Sequence, residues 1–402
     1  GQSGNAPTGT SPYIGKFSAV TPGYGDMSAV KPESPDLTHL KYETITSNNI
    51  GVDVGLFSDR ITFAVELYTK VTDDMLQKKI KVPSSTGLST VAWYNSGKME
   101  NRGWEFNIDV AAVRTKDWGL NFGFNISQNK NKVLELPENQ SDETYTFGNK
   151  KYAYRVLMGD PLGSFYGYRY KGVYQNVEET YAVDKTGQQI MDINGAPVVV
   201  KNGDQKVYPG DAKYEDVNGD GVIDENDIVY LGNSNPTLTG GLNFTLRYKK
   251  LSLVAALHGR AGQKVINESR INMENMYGKN NQSVAVLRRW RSEGDNTDIP
   301  RALYDKGYNY LGSDRFVEDA SFLRLKTITL KYQFPENWMK PLGINKLEIY
   351  ATGYDLFVWT KYTGQDPEIN LKNPDGSAAQ VAIDSNNTPK AMRFAFGLNL
   401  RF

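Results

Sequence analysis

The chain has 402 residues with 46 basic and 46 acidic side chains, so it lacks the basic excess a nucleic-acid partner needs. It contains no cysteine, and its two histidines, His39 and His258, are too few and too far apart for a zinc site or a catalytic triad. No stretch approaches the ~20 apolar residues of a membrane helix. A mean hydropathy of −0.53 would read as soluble except in β-barrels, where alternation and long polar loops dilute the apolar residues.

Roughly the first 43 residues are polar and loop-like, and "GQSGNAPTGTSPYIGKF" has neither the basic nor the apolar region of a signal peptide. Strict alternation then begins. Ile50, Val52, Val54 and Leu56 are followed, across Ser58-Asp59-Arg60, by Ile61, Phe63, Val65 and Leu67. Trp104, Phe106, Ile108 and Val110 are followed, across Arg114–Asp117, by Trp118, Leu120, Phe122, Phe124 and Ile126. Leu242, Phe244, Leu246 and Tyr248 meet Leu251, Leu253, Ala255 and Leu257 across Lys249-Lys250. Ile328, Leu330, Tyr332 and Phe334 lead through a moderate connection to Leu347, Ile349 and Ala351, and the last set is Phe394, Phe396, Leu398, Leu400 and Phe402. Period two with one apolar face predicts nine half-buried strands, most near the ~9–11 residues that cross a bilayer at a tilt.

Long excursions, at roughly 70–103, 128–237, 263–315 and 360–388, alternate with these short connections. A soluble sandwich gives no reason to gather every long loop at one end. A transmembrane antiparallel β-barrel with short periplasmic turns and long extracellular loops does. The first and ninth strands then both descend, and Phe402 ends in the periplasm. An antiparallel barrel closes with an even count, so the spacing predicts one part of a larger barrel. Trp104 and Trp118 are candidate residues of an interfacial aromatic girdle. Leu323 and Leu325 fall on the opposite parity from Ile328 and Leu330, which predicts a β-bulge near 326–327.

The 128–237 excursion carries "DVNGDGVIDEND", residues 216–227, with the spacing of an EF-hand-type cation loop. Asp216, Asn218, Asp220, Val222, Asp224 and Asp227 occupy its first, third, fifth, seventh, ninth and twelfth positions, and Gly221 its sharp turn. No amphipathic helix flanks it, so the expectation is a structural Ca2+ or Mg2+ clamp on a long loop. Tyr166, Tyr168 and Tyr170 share one parity, and a strand there would show all three on one face. They are candidates for contact with a sugar or peptide, or for packing of a folded loop. Arg289 and Trp290, in "RRWRSEGDN", are further substrate-contact candidates for an anionic or peptide ligand. No catalytic set is expected. Asp366 and Glu368 in "GQDPE" read as a turn, since one loop does not supply two carboxylates facing each other across a cleft.

The closing "FAFGLNLRF", with its terminal Phe402, resembles the assembly signal of bacterial outer-membrane barrels. Residues 36–76, 210–253 ("GDAKYEDVNGDGVIDENDIVYLGNSNPTLTGGLNFTLRYKKLSL"), 288–302, 317–335 ("VEDASFLRLKTITLKYQFP") and 362–370 ("YTGQDPEIN") resemble the SusC/RagA family of TonB-dependent transporters. The resemblance implies the C-terminal strands of a 22-stranded barrel, with the plug domain outside this chain. It also implies a multi-pass protein of the cell outer membrane of Bacteroidota that imports oligosaccharides or oligopeptides without covalent chemistry. Its partners would be a SusD-like lipoprotein acting as a lid, TonB acting through the plug, the rest of the barrel, and membrane lipid and LPS. The alternatives are a passive porin or structural barrel, and a secreted calcium-dependent β-rich glycan-binding module.

Overall fold

In a computed structural model, residues 2–3, 13–20, 29–81, 85, 88, 90–136, 145–146, 152–154, 156–372 and 381–402 are described. Most of the opening polar segment, and residues 151 and 155 of the tyrosine-rich stretch 151–174, lie outside them. Nine long strands form where alternation predicts them. They are β1 (Thr44–Leu56), β2 (Ile61–Asp73), β3 (Lys98–Arg114), β4 (Trp118–Glu135), β5 (Leu238–Tyr248), β6 (Leu251–Ala261), β7 (Phe322–Gln333), β8 (Lys346–Thr360) and β9 (Arg393–Arg401). With 17 and 18 residues, β3 and β4 run well past the length a bilayer requires.

The chain divides into two compact units. In the first (Gly1–Ile108, Ile126–Glu143, Val156–Leu162), β1, β2 and the loop-side halves of β3 and β4 are neighbours in that order. In the second (Asp109–Asn125, Thr144–Arg155, Gly163–Phe402), the turn-side halves of β3 and β4 are followed by β5, β6, β7, β8 and β9.

Register explains why these segments pair as they do. A slip of one residue would turn every side chain to the other face. Ile50, Val52, Val54 and Leu56 stand opposite Leu67, Val65, Phe63 and Ile61. In the second unit one rung runs through Leu246, Leu253, Leu330, Ala351 and Phe396. A neighbouring rung on the other face holds Arg247, Ser252, Lys331, Tyr350 and Gly397. Thr329 and Thr352 share a hydroxyl hydrogen bond there at 2.9 Å. Among the described residues no second sheet covers the apolar face of either unit, since Ile50 in the first is 75% exposed and Phe396 in the second 80%. In the second unit that face ends in aromatic rings at both margins. Trp118 and Tyr248, centroids 4.3 Å apart, lie at the turn end, and the stacked pair Phe357 and Trp359 lies at the loop end. Trp104 instead sits half-buried in the first unit and donates to Gln128 at 3.2 Å.

The expected bulge is present. Register slips between Leu325 and Thr327 against β8 and between Ala256 and Leu257 of β6, leaving Lys326 as the extra residue. Opposite it, β8 accommodates two residues of its own, with Asp355 at φ 51°. The bulge returns Leu323 and Leu325 to the apolar face and frees Lys326 and Asp355 from the ladder.

The buried core lies in the excursions. One cluster joins Phe165, Ile266, Ile271, Phe316 and Ile383. A second gathers Tyr168, Tyr174, Val200, Tyr214, Ile223 and Leu311, and a third holds Val265, Tyr362 and Ile369. The long loops of the second unit therefore fold into a packed body. Short strands such as Ser164–Gly167, paired with Val229–Asn233, and Tyr170–Val173, paired with Ala212–Tyr214, supply its frame.

Candidate functional site in the folded loops

The loop body is pinned by contacts between its own charged stretches. Asp211 takes a two-pronged bond from Arg301, 2.7 Å from Nε and 3.1 Å from Nη2, and the Asn309 amide adds a third at 3.3 Å. The Arg301 amide donates to the Gly210 carbonyl at 2.8 Å. Gly210 has φ +89°, and a Cβ there would meet the Trp290 ring at 2.3 Å. Trp290 thus packs against backbone that only glycine leaves open. Gly210→Ala is expected to unseat that ring and cost about 1–3 kcal/mol by overpacking, which faster proteolysis within 284–310 would report.

A second lock ties residues 362–368 and Lys390 to β7. Arg324, 2% exposed, pairs with Asp366, and its Nε lies 3.3 Å from Glu368. Lys326, the bulge residue, reaches Glu368 at 3.1 Å, and Lys390 pairs with the same carboxylate. Asp355 lies 3.9 Å from both Arg324 and Lys326. Asp366 also accepts from the amides of Glu368 at 2.9 Å and Lys390 at 3.1 Å. Thr363 donates to Glu318, and Tyr362 donates to Asp384 at 2.7 Å.

Burial alone would push the Glu368 carboxyl up, but its bonds to Lys390 and Lys326 outweigh that and hold it at about 2. A depressed carboxylate adds stability above its unfolded pKa, near 4.3, and loses it as pH falls through the folded value. Protease protection of residues 361–372 and 381–390 is therefore expected to persist at pH 5 and to fall between about pH 4 and pH 2.

The predicted contact residues are dispersed. Tyr166 is buried in Ser164–Gly167, edge-on to Tyr230 at 5.8 Å. The chain leaves that strand before Tyr168, which bridges to Ser313, and Tyr170 begins another strand, donating to the Asp298 carbonyl at 2.6 Å. Tyr168 and Tyr170 instead flank Tyr214, at 5.6 and 5.9 Å. The single exposed face that shared parity would give is not formed, because the strand breaks between 167 and 170. Arg289 lines a groove with Arg288, Arg291, Asp295 and Asp298, and its Nη1 donates to the Val286 carbonyl at 3.3 Å. Trp290 is not in that groove's wall. Phe402 directly follows β9 and is exposed.

The 216–227 turn brings its six predicted ligands into one loop, but its carboxylates serve backbone amides. Asp216 accepts from Gly219 at 2.6 Å and from Gly221 at 2.7 Å. Asp220 accepts from the Val222 amide at 2.8 Å and the Asn218 side chain at 2.8 Å. Asp224 caps a short 3-10 turn through the Asn226 amide. Asp227, fully buried, accepts from Val217 at 2.7 Å and Asp224 at 2.9 Å, and burial raises its pKa. Gly221 is at φ +82°, and a Cβ there would meet that of Ala182 at 2.9 Å. Among the described residues no three acidic or histidine side chains converge to hold one metal ion.

Sequence reasoning did not single out Asp211, Arg301, Arg324, Lys326 or Lys390. The one signal for Lys326 was the parity change beside it.

A family model described as the TonB dependent receptor-like β-barrel matches residues 1–198. TonB-dependent receptors P26 and P3 of Formosa agariphila are 32% and 30% identical over 374 and 372 residues, 90% of this chain in each case. TonB-dependent receptor SusC of Bacteroides thetaiotaomicron is 28% identical over 373 residues. The chain belongs with the TonB-dependent receptors. This TonB-dependent receptor chain spans about a third of the length of those relatives, 35%, 34% and 32%. It superposes with a TM-score of 0.75 on the RagAB peptide transporter, at 23% identity, covering 99% of this chain and 40% of that one. The match to the RagAB peptide importer in its closed-closed state is the same, with a TM-score of 0.75. The nine strands of the receptor chain are thus part of a transmembrane β-barrel, with short periplasmic turns and long extracellular loops. In a barrel of this kind the apolar face meets lipid, and Trp118, Tyr248, Phe357 and Trp359 would mark its aqueous margins. That fold sets aside the secreted, soluble glycan-binding module.

Proposed function

We propose that the protein is part of an outer-membrane importer for oligosaccharides or oligopeptides, driven by TonB and working beneath a SusD-like surface lipoprotein. It does no covalent chemistry on its cargo. The observation that carries this reading is the charged lock from β7 to Asp366, Glu368 and Lys390. It fixes an extracellular body to the barrel wall, as a receptor that presents a shaped mouth to cargo and lid requires. RagAB is named as a peptide transporter and SusC as a TonB-dependent receptor, and both kinships support the reading.

The test is a strain lacking this gene, grown on polysaccharides and on peptides as sole nutrient. Loss of growth on one class, restored by the gene and abolished by loss of TonB, is the expected result. Uptake that persists without TonB would leave a passive porin. Co-purification of a surface lipoprotein with the tagged receptor is expected alongside.

A divalent cation in the 216–227 loop belongs to the same proposal. It would have to draw Asp216, Asp220 and Asp227 off their amides, so it would bind weakly and respond to external calcium at about 1 mM. Proteolysis of residues 174–233 that is identical with calcium and with chelator would remove it.

A further inference from the structure

The loop body holds a partly open cavity of about 140 Å3 whose walls include Tyr168, Tyr308, Asn202, Asp224, Glu225 and Leu311. Among the described residues none of its walls is basic. Asn202 lies in the short strand Lys201–Asn202, which runs parallel to Val222–Ile223 and ends beside the cation-like turn. The residue is 5% exposed, and its side-chain oxygen accepts no hydrogen bond. A buried acceptor without a donor is uncommon in a folded protein and invites one from a ligand. Burial and then the carboxylates of Asp227, Asp224 and Glu225 push the Tyr168 hydroxyl up to about 12, so a negative field reaches this wall.

The chemistry selects the ligand. Two carboxylates and an amide oxygen favour a cation that carries N–H donors. Two tyrosine rings and an apolar residue beside them suit an alkyl stem, and ring faces attract an ammonium. A bare calcium ion, which takes six to eight oxygens, finds too few here. The volume holds about four or five water-sized groups. We propose that this cavity binds a primary ammonium on a short alkyl stem, its N–H groups donating to Asn202, Asp224 and Glu225 and its stem packed between Tyr168 and Tyr308. That group is carried by a small free amine or by a lysine side chain of a peptide.

Calorimetric titration of the full-length receptor in detergent tests this. The probes are n-butylammonium and N-acetyl-lysine amide, with n-butanol and N-acetyl-norleucine amide as uncharged controls. Binding of an amine without its control is expected. Butylammonium binding alone identifies a free amine, and binding of the lysine probe identifies a peptide side chain as the source. Asn202→Leu and the exposed Glu225→Gln are each expected to weaken the amine about tenfold or more. Asn202→Leu removes an unpaired acceptor, so its melting temperature should hold or rise. If neither amine binds, or if both variants bind as the parent does, the proposal fails. Should Asn202→Leu not fold, Glu225→Gln alone decides in the same way.

Discussion

Arg324→Ala is expected to destabilise the folded extracellular body by about 3–5 kcal/mol, the typical cost of stranding buried charges by removing their partner. Arg324 and Asp366 are both buried, at 2% and 6% exposure, so the loss would leave Asp366 facing Lys390 mainly through a backbone amide. Exposed pairs elsewhere are a different case. Arg169–Glu215 and Lys41–Asp74 are screened by water and should each contribute under about 1 kcal/mol. The measurement is the rate of proteolysis within 361–391 together with the thermal melt of the purified receptor. The double variant Arg324→Ala/Asp366→Ala should recover part of the loss, because the stranded carboxylate is gone. Equal protection in Arg324→Ala and the parent would show that the lock carries no weight. The barrel wall itself should persist in either variant, since β7 keeps its ladder to β6 and β8.

Why the strands were legible and this lock was not follows from what each depends on. A strand between lipid and a polar interior writes its environment into every second residue. Ile50 to Leu56 and Phe394 to Phe402 could be placed from parity alone, and the misplaced parity of Leu323 and Leu325 announced the bulge at Lys326. The matching irregularity in β8 was invisible, because Asp355 adopts a left-handed conformation in a stretch, "TGYDLFVWT", whose residues do not demand it. Loop contacts depend on residues far apart in the chain. Arg324 meets Asp366 across 42 positions and Asp211 meets Arg301 across 90, and no local period links them. The tyrosines show the same limit. Tyr166, Tyr168 and Tyr170 share a parity, but parity has meaning only while a strand continues, and this one ends at Gly167. In the 216–227 turn the glycines and aspartates did encode local shape, which the amide bonds to Asp216 and Asp227 realise; a spacing that suits a cation suits a self-bonded turn as well.

Phe396→Arg should separate a lipid-facing strand from a water-facing one more sharply than any loop variant. Phe396 lies on the rung with Ala351, Leu330, Leu253 and Leu246. That rung falls between the aromatic margins marked by Trp359 and Tyr248. On a soluble sheet, replacing an 80% exposed phenylalanine by arginine would be neutral or favourable. Near the bilayer midplane the same change is expected to cost about 2–4 kcal/mol. Asn399→Lys, three residues along the same strand, enters the opposite face beside Glu348, which Asn399 contacts at 3.1 Å. There a new cation meets a carboxylate in water, and the effect should stay within about 0.5 kcal/mol. Heat-modifiable mobility on gels and outer-membrane yield of the full-length receptor would report both. A barrel that assembles poorly with Phe396→Arg and normally with Asn399→Lys is the expected pair of results. Equal assembly of the two would mean that both faces of β9 meet the same solvent, and no membrane barrel has that property.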